Sequence, residues 1–234
     1  MNSKAEIIKA TTEESILKKF AFVSDFDGTL TERDFYHIII DTYLQEWGRP
    51  FYEDWKKTKK INVEFLNKIL GSIGRTEEEI LAEIHRLPLD EYAVDFIRRV
   101  QEAGGEFYIL SAGTTYYIDQ LLAHRGIEGV TVISMNGVYK DGGIEVIPDE
   151  KSPYFSEIFG INKAKVIEEL KKEFETVFFA GDSEPDLGAA KEADIAFAKK
   201  DLKELLNKEQ QKFVPFENFK EIEKYLKDRG WLAS

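Results

Sequence analysis

The run Asp25-Phe26-Asp27-Gly28-Thr29 sets two carboxylates two positions apart, directly after the apolar stretch Phe20-Ala21-Phe22-Val23. Residues i and i+2 share one face of a strand, and the glycine lets the chain turn so that both carboxylates approach one centre. Two neighbouring acids do not both ionise cheaply without a cation between them. Mg2+ would supply that charge. One carboxylate could then attack phosphorus while the other, able to hold a proton, serves the leaving oxygen. For such a run alone, an Asx turn closing a strand is the alternative.

Three further signals stand at corresponding places. Ser111 follows Phe107-Tyr108-Ile109-Leu110 and precedes Ala112-Gly113-Thr114 and an expected helix. A hydroxyl and free backbone N–H groups at a helix N-terminus form an anion site, although a plain strand-to-helix turn reads the same way. Lys163 opens the helix that carries Val166 and Ile167. The macrodipole disfavours a cation there, so the lysine points to a nearby anion; a solvated lysine is the alternative, and Lys165 the decoy. Gly181-Asp182-Ser183-Glu184-Pro185-Asp186 closes another apolar run, Val177-Phe178-Phe179-Ala180. Asp182 is placed to complete an oxygen-ligand octahedron with Asp25, a backbone carbonyl and waters, as Mg2+ prefers, and Asp186 to steady Lys163 or a metal-bound water. Helix capping by Asp182 or Ser183 is the competing reading.

These residues need a scaffold that brings strand ends together. The three apolar runs and a fourth, Ile195-Ala196-Phe197-Ala198, read as buried strands of a parallel sheet. Amphipathic helices lie between them, one carrying Ala93, Phe96, Ile97 and Val100, another Val166, Ile167, Leu170 and Phe174. Such alternation predicts a doubly wound, Rossmann-like α/β fold with ligands beyond the carboxyl ends of the strands. The stretch 35–87 reads as an inserted helical cap, leaving 1–34 and 88–234 as the α/β core. A shorter excursion from about Val130 to Gly160 suggests a β-hairpin around Asn136-Gly137 and Asp141-Gly142-Gly143. Leu202, Leu205, Leu206, Ile222 and Leu226 read as closing helices.

The chain has 234 residues, 44 acids against 32 bases, a net charge of −12 and no cysteine. Disulfides, thiolate metal sites and a cysteine nucleophile are therefore excluded. The acidic balance argues against nucleic acid or an anionic membrane as partner. No apolar run approaches the roughly 20 residues that span a bilayer. Met1-Asn2-Ser3-Lys4-Ala5-Glu6 lacks the apolar region of a secretory signal, so the expected compartment is the cytoplasm.

Taken in order, Asp25-x-Asp27-Gly28-Thr29, Ser111, Lys163 and Gly181-Asp182-x-x-x-Asp186 resemble the motifs of the haloacid-dehalogenase-like phosphatase superfamily. The resemblance covers nearly the whole chain from Phe20 onward. It implies a Mg2+-dependent phosphatase working through an aspartyl-phosphate on a small-molecule phosphate ester. Asp25 would be the nucleophile. Asp27 would protonate the leaving alcohol and then activate water, its backbone carbonyl joining Asp25 and Asp182 as metal ligands. Lys163 would offset charge, with Asp186 behind it. Gly28, Thr29, Asp34, Ser111, Ala112 and Gly113 would contact substrate. A phosphoaccepting signalling module and a catalytically dead binding protein are the readings from other classes; the first is much shorter and lacks a cap, the second would have lost a motif.

The cap position resembles the phosphoserine-phosphatase-like branch. Phosphoserine phosphatases carry serine where Gly28 stands and a glutamate, which holds the substrate ammonium, at the Asp34 position. The Asp-Phe-Asp-Gly-Thr run, Asp34 and Gly181-Asp182-Ser183 look closer to the methionine-salvage phosphatases acting on 2-hydroxy-3-keto-5-methylthiopentenyl-1-phosphate. Tyr36, Trp47, Phe51, Tyr52 and Trp55 are expected mainly as cap core, with a thioether-lining role for some as the alternative. His37, His85 and His124 have no metal-ligand spacing.

Overall fold

A computed structural model describes residues 19–233; the expectations for positions 1–18, including the start of the core and the missing leader, lie outside the described residues. The first strand, β1 (Ala21–Ser24), is buried throughout and sits at the centre of a seven-stranded sheet. An insert of four helices follows: α1 (Phe35–Tyr43), α2 (Gly48–Thr58), α3 (Val63–Leu70) and α4 (Glu77–His85). Then come α5 (Ala93–Glu102), β2 (Glu106–Thr114), α6 (Thr115–His124) and the hairpin β3 (Val130–Lys140) and β4 (Gly143–Ile147). A two-stranded ribbon, β5 (Phe155–Ser156) and β6 (Gly160–Ile161), precedes α7 (Lys163–Leu170). The chain ends through β7 (Val177–Gly181), α8 (Leu187–Glu192), β8 (Ile195–Ala198), α9 (Lys200–Lys208), β9 (Val214–Pro215) and α10 (Phe219–Lys227).

Strand order is β4-β3-β2-β1-β7-β8-β9, with every pairing parallel except β3 to β4. The chain therefore winds outward from β1 through β2 and β3, then crosses back to β7. That reversal beside β1 is the topological switch point at which open α/β sheets bind ligands.

Alternation along the strands feeds two cores. Phe22 stacks on Phe107 and Phe178, with ring centroids 5.5 and 6.2 Å apart, and meets Phe96 of α5 edge-on at 4.8 Å. Ala21, Val23, Val177 and Phe179 point to the other face, against Val166, Ile167, Leu170, Ala189 and Leu202. Both faces are thus covered, which is why these strands read as unbroken apolar runs.

The two ends of the four-helix segment are tied to each other by backbone contacts. Thr31 and Leu89 form an antiparallel bridge, the Glu32 N–H donates to Pro88 O at 2.8 Å, and the Asp90 N–H donates to Leu30 O at 2.9 Å. The acidic run Glu77-Glu78-Glu79 forms the first turn of α4 behind a Thr76–Glu79 capping box, where acids suit the dipole. Asn67 of α3 pairs its side-chain amide with the backbone of Val146, accepting at 2.7 Å and donating at 2.9 Å. A helix side chain thereby occupies part of the open edge of β4, which would otherwise offer unpaired backbone groups.

The sheet is larger than the apolar runs predict. Val130–Ile133 pairs in parallel with Phe107–Leu110 and belongs to the core sheet, so the hairpin begins only at Asn136. These residues lie towards the sheet edge and are half-exposed, so no continuous apolar run marks them. The turn falls at Asp141-Gly142, whose φ values are +49° and +84°; Asn136-Gly137 lies within the strand instead. Among the described residues no helix is long and apolar enough to cross a membrane.

Candidate active site

Asp25 directly follows β1, and its backbone N–H donates to Ala180 O of β7 at 2.9 Å. The next residues, Phe26–Leu30, form a tight turn in which Gly28 takes φ +82°, a conformation that L side chains rarely adopt. Thr31 closes the turn, accepting the Gly28 N–H on Oγ1 at 3.1 Å. A strand end, one left-handed residue and a buried threonine thus present both carboxylates to the same space.

Lys163 reaches this space from the first residue of α7. It is 3% exposed, and its Nζ lies 2.6 Å from both Asp25 Oδ1 and Asp186 Oδ1. Burial opposes its charge, but the carboxylates of Asp186 and Asp25 outweigh that and raise its pKa. Lys165 is exposed, as expected of the decoy. Asp186 spends its second oxygen on the backbone N–H groups of Asp182 and Ser183, at 2.9 and 3.1 Å. Asp25, Asp182 and Asp186 bring carboxylate oxygens within 4.8 Å of one another. Asp186 thus joins the acidic cluster while bridging Lys163 and the backbone of the last motif.

Asp25 Oδ2 and Asp182 Oδ1 are buried without a hydrogen-bond partner. Burial, then the charge of Asp186, raises the pKa of Asp25; the same causes raise Asp182 to about 6. Buried oxygen acceptors held next to one another without donors fit a hard, oxygen-preferring metal ion. The donor set is therefore that of a metal ion site.

Asp27 is held at both ends. Oδ1 accepts the Phe35 N–H at 2.9 Å and Oδ2 accepts the Tyr117 hydroxyl at 2.5 Å. Burial and the nearby charge of Asp34 push its pKa up to about 7, against the lowering effect of those two hydrogen bonds. Ser111 is 1% exposed and its Oγ accepts the Gly113 N–H at 2.9 Å. The helix expected after Ala112-Gly113-Thr114 is α6: β2 runs on through a bulge to Thr114, which caps α6 by accepting the Tyr116 N–H. Small residues permit that extension across the site.

A cavity of about 240 Å³ opens above these groups, lined by Asp25, Asp27, Asp34, Ser111, Ala112, Gly113, Tyr117 and Lys163. Tyr36, Tyr52, Ile61, Leu66 and Phe159 supply apolar or aromatic lining, with Glu184 and Asp201 as further acids. Gly28 and Thr29, expected as substrate contacts, do not line the cavity. Thr29 is fully buried, and Gly28 lies where a Cβ would fall 2.3 Å from Asp182 Oδ2. Trp47, Phe51 and Trp55 instead gather with Phe65 inside the insert, while His85 and His124 stack on each other 4.0 Å apart.

Sequence reasoning missed two consecutive lysines. Lys199 Nζ donates to Thr29 O at 2.9 Å; Lys200 Nζ donates to Gly28 O at 2.6 Å and to Asp182 Oδ2 at 3.0 Å. Lys200 adopts φ +46°, unusual for a side-chain-bearing residue, at the junction of β8 and α9. Two lysines in a charge-rich stretch look solvated, and only their position beyond a strand end could have singled them out. Tyr117 was missed because it reads as an ordinary core aromatic of α6.

Comparison with known proteins agrees with this geometry. A 2-hydroxy-3-keto-5-methylthiopentenyl-1-phosphate phosphatase of Microcystis aeruginosa is 26% identical over 205 residues, spanning 86% of this chain and 95% of that protein. A polyol phosphate phosphatase of Saccharomyces cerevisiae is 30% identical over 226 residues, spanning 87% of this chain and 91% of the other. A substrate-bound phosphoserine phosphatase superposes with a TM-score of 0.67 at 20% identity, over 89% of this chain and 98% of that one, which speaks to the fold. The haloacid dehalogenase-like hydrolase family matches residues 22–191. Its parallel sheet, buried aspartates and sequence all place the chain in the haloacid dehalogenase-like hydrolase family, among its phosphatases.

Proposed function

We propose that this enzyme is a Mg2+-dependent phosphomonoesterase that passes the phosphoryl group of a small metabolite through Asp25. The observation that carries the reading is the pair of donor-less buried oxygens, Asp25 Oδ2 and Asp182 Oδ1, beside a lysine bound to Asp25 and under a cavity. In this reading 35–87 is a cap over a core formed by 1–34 and 88–234. Asp25, Asp182 and the Asp27 backbone carbonyl would hold Mg2+, which when bound supplies positive charge against the phosphoryl oxygens.

Asp25 attacks phosphorus, and the bond to the leaving oxygen breaks as Asp27 gives that oxygen its proton. Water then attacks the aspartyl-phosphate, Asp27 takes a proton from it, and the bond to Asp25 breaks to release inorganic phosphate. Lys163 offsets charge at Asp25 throughout. Ser111, with the backbone of Ala112 and Gly113, faces the transferred group; Asp34 faces the alcohol portion.

For the alcohol, 2-hydroxy-3-keto-5-methylthiopentenyl-1-phosphate suits the cavity. The faces of Tyr36, Tyr52, Ile61, Leu66 and Phe159 offer apolar surface to a thioether chain. Among the described residues the lining contains no arginine, and its one lysine, Lys163, is bound to two aspartates. A substrate carboxylate, as in phosphoserine, would instead meet Asp34, Glu184 and Asp201. Those same acids can accept from hydroxyl groups, which together with the yeast relative supports a polyol phosphate as the second reading.

A panel of esters containing the methylthiopentenyl phosphate, glycerol and sugar-alcohol phosphates, and phosphoserine tests this. The first should have the highest kcat/KM, chelation should stop turnover, and Asp25→Asn should lose it by a factor of at least about 10³. Phosphoserine as the best substrate would overturn the ranking, and a fully active Asp25→Asn would overturn the mechanism.

A further inference from the structure

The proton carried by Asp27 is central to the mechanism proposed above, and the inference that follows rests on that reading. The Asp27 carboxyl is clamped by donors from two elements distant in sequence. Phe35 N–H, at the first residue of α1, holds Oδ1; the Tyr117 hydroxyl, from the first turns of α6, holds Oδ2 at 2.5 Å. An O–H donor at that separation is at the short, charge-assisted end of the range.

Packing gives the tyrosine little freedom. It is 3% exposed, and its ring lies 5.0 Å from that of Phe35 and 5.8 Å from that of Phe26. Those ring contacts need only a phenylalanine; the hydroxyl is what reaches Asp27. Room for it exists because residue 113 is glycine: a Cβ there would fall 1.6 Å from Tyr117 Oη and 3.1 Å from Asp27 Oδ2. The hydroxyl thus stands between the Ser111-Ala112-Gly113 segment and the acid, inside the cavity lining.

We propose that Tyr117 is a positioning residue for the acid–base steps, its hydroxyl fixing Asp27 so that the carboxyl meets the leaving oxygen. When Asp27 passes its proton to the leaving oxygen, negative charge appears on a carboxylate that already has two donors aimed at it. The Tyr117 O–H and Phe35 N–H bonds strengthen as that charge develops, without reorganisation, which is the condition for an interaction to raise a rate. Tyr117 keeps its own proton. In the second half-reaction the same clamp holds Asp27 towards the attacking water.

The test is leaving-group dependence in a single turnover, measuring formation of the aspartyl-phosphate. Phenyl phosphate expels a phenolate whose conjugate acid has a pKa of about 10, and it needs the proton; p-nitrophenyl phosphate expels a far weaker base of similar shape and needs it much less. Tyr117→Phe should slow the phenyl ester by about tenfold, part of what a general acid contributes, and leave the p-nitrophenyl ester within about twofold. Asp27→Asn should show the same discrimination more strongly. If Asp27→Asn slows both esters equally, the role given to Asp27 fails. If Asp27→Asn discriminates but Tyr117→Phe slows both equally, or neither, the proposal for Tyr117 is overturned while that for Asp27 stands.

Discussion

Lys163 shows how much of this site depends on one cation. It begins α7, where the helix dipole opposes it, and it is buried, which opposes it again. Two carboxylates at 2.6 Å hold it there. The relation is mutual: without the lysine, the buried carboxylates of Asp25 and Asp186 would lose the cation that bridges them. Breaking a buried pair by removing one partner costs about 3–5 kcal/mol, because the survivor keeps its desolvation penalty. Lys163→Met should therefore lower the metal-free unfolding free energy by about that amount in urea denaturation. A loss below about 1 kcal/mol, the worth of a surface pair, would mean that the lysine is not the buried bridge described above.

Elements matter here through their ends. β1, β2 and β7 each finish in polar residues at the same end of the sheet, and their parallel pairing makes those ends neighbours. Continuous apolar runs announced these strands and β8 in the sequence, because a strand covered on both faces has no polar side to show. β3 and β9 gave no such signal, being half-exposed or two residues long. Nor could the pairing between α3 and β4 be read, since one asparagine among helix residues has no distinguishing pattern. Asn67→Ala should expose its value. It strips both hydrogen bonds from the backbone of Val146, which is 2% exposed, and should cost about 1–3 kcal/mol. Hydrogen exchange at the Val146 amide should accelerate more than at Ile144, where no such bond is lost. Equal protection at both positions would show that the helix side chain does not guard the edge.

Across the whole molecule, acids outnumber bases by twelve, and the site concentrates that excess around donor-less oxygens. A bound divalent cation relieves more repulsion in such a chain than in a neutral one. Mg2+ at about a hundred times its dissociation constant should stabilise the folded state by about 2.7 kcal/mol, seen as a rise in Tm. Excess chelator should reverse the rise, and Asp182→Asn should abolish it. A matched increase in monovalent salt controls for general screening of the acidic surface. If Na+ at equal ionic strength stabilises as much as Mg2+, or Asp182→Asn responds like the wild type, the carboxylates do not form a specific cation site.

The candidate nucleophile, the lysine and the aspartates of the last motif were legible from sequence because each is announced locally, by an apolar run that ends or a helix that begins. Fold class was legible for the same reason. Tertiary structure alone decided who faces them. Tyr117 meets Asp27 across 90 positions of sequence, Lys200 meets Gly28 across 172, and Asn67 meets Val146 across 79. Periodicity records which face of an element is buried, but not which side chain of another element that face will meet. The crossover that brings β7 beside β1 turns four separate strand ends and helix starts into one site. The apolar cavity lining, with Phe159 and Ile61 from segments with no motif, is fixed by packing in the same way.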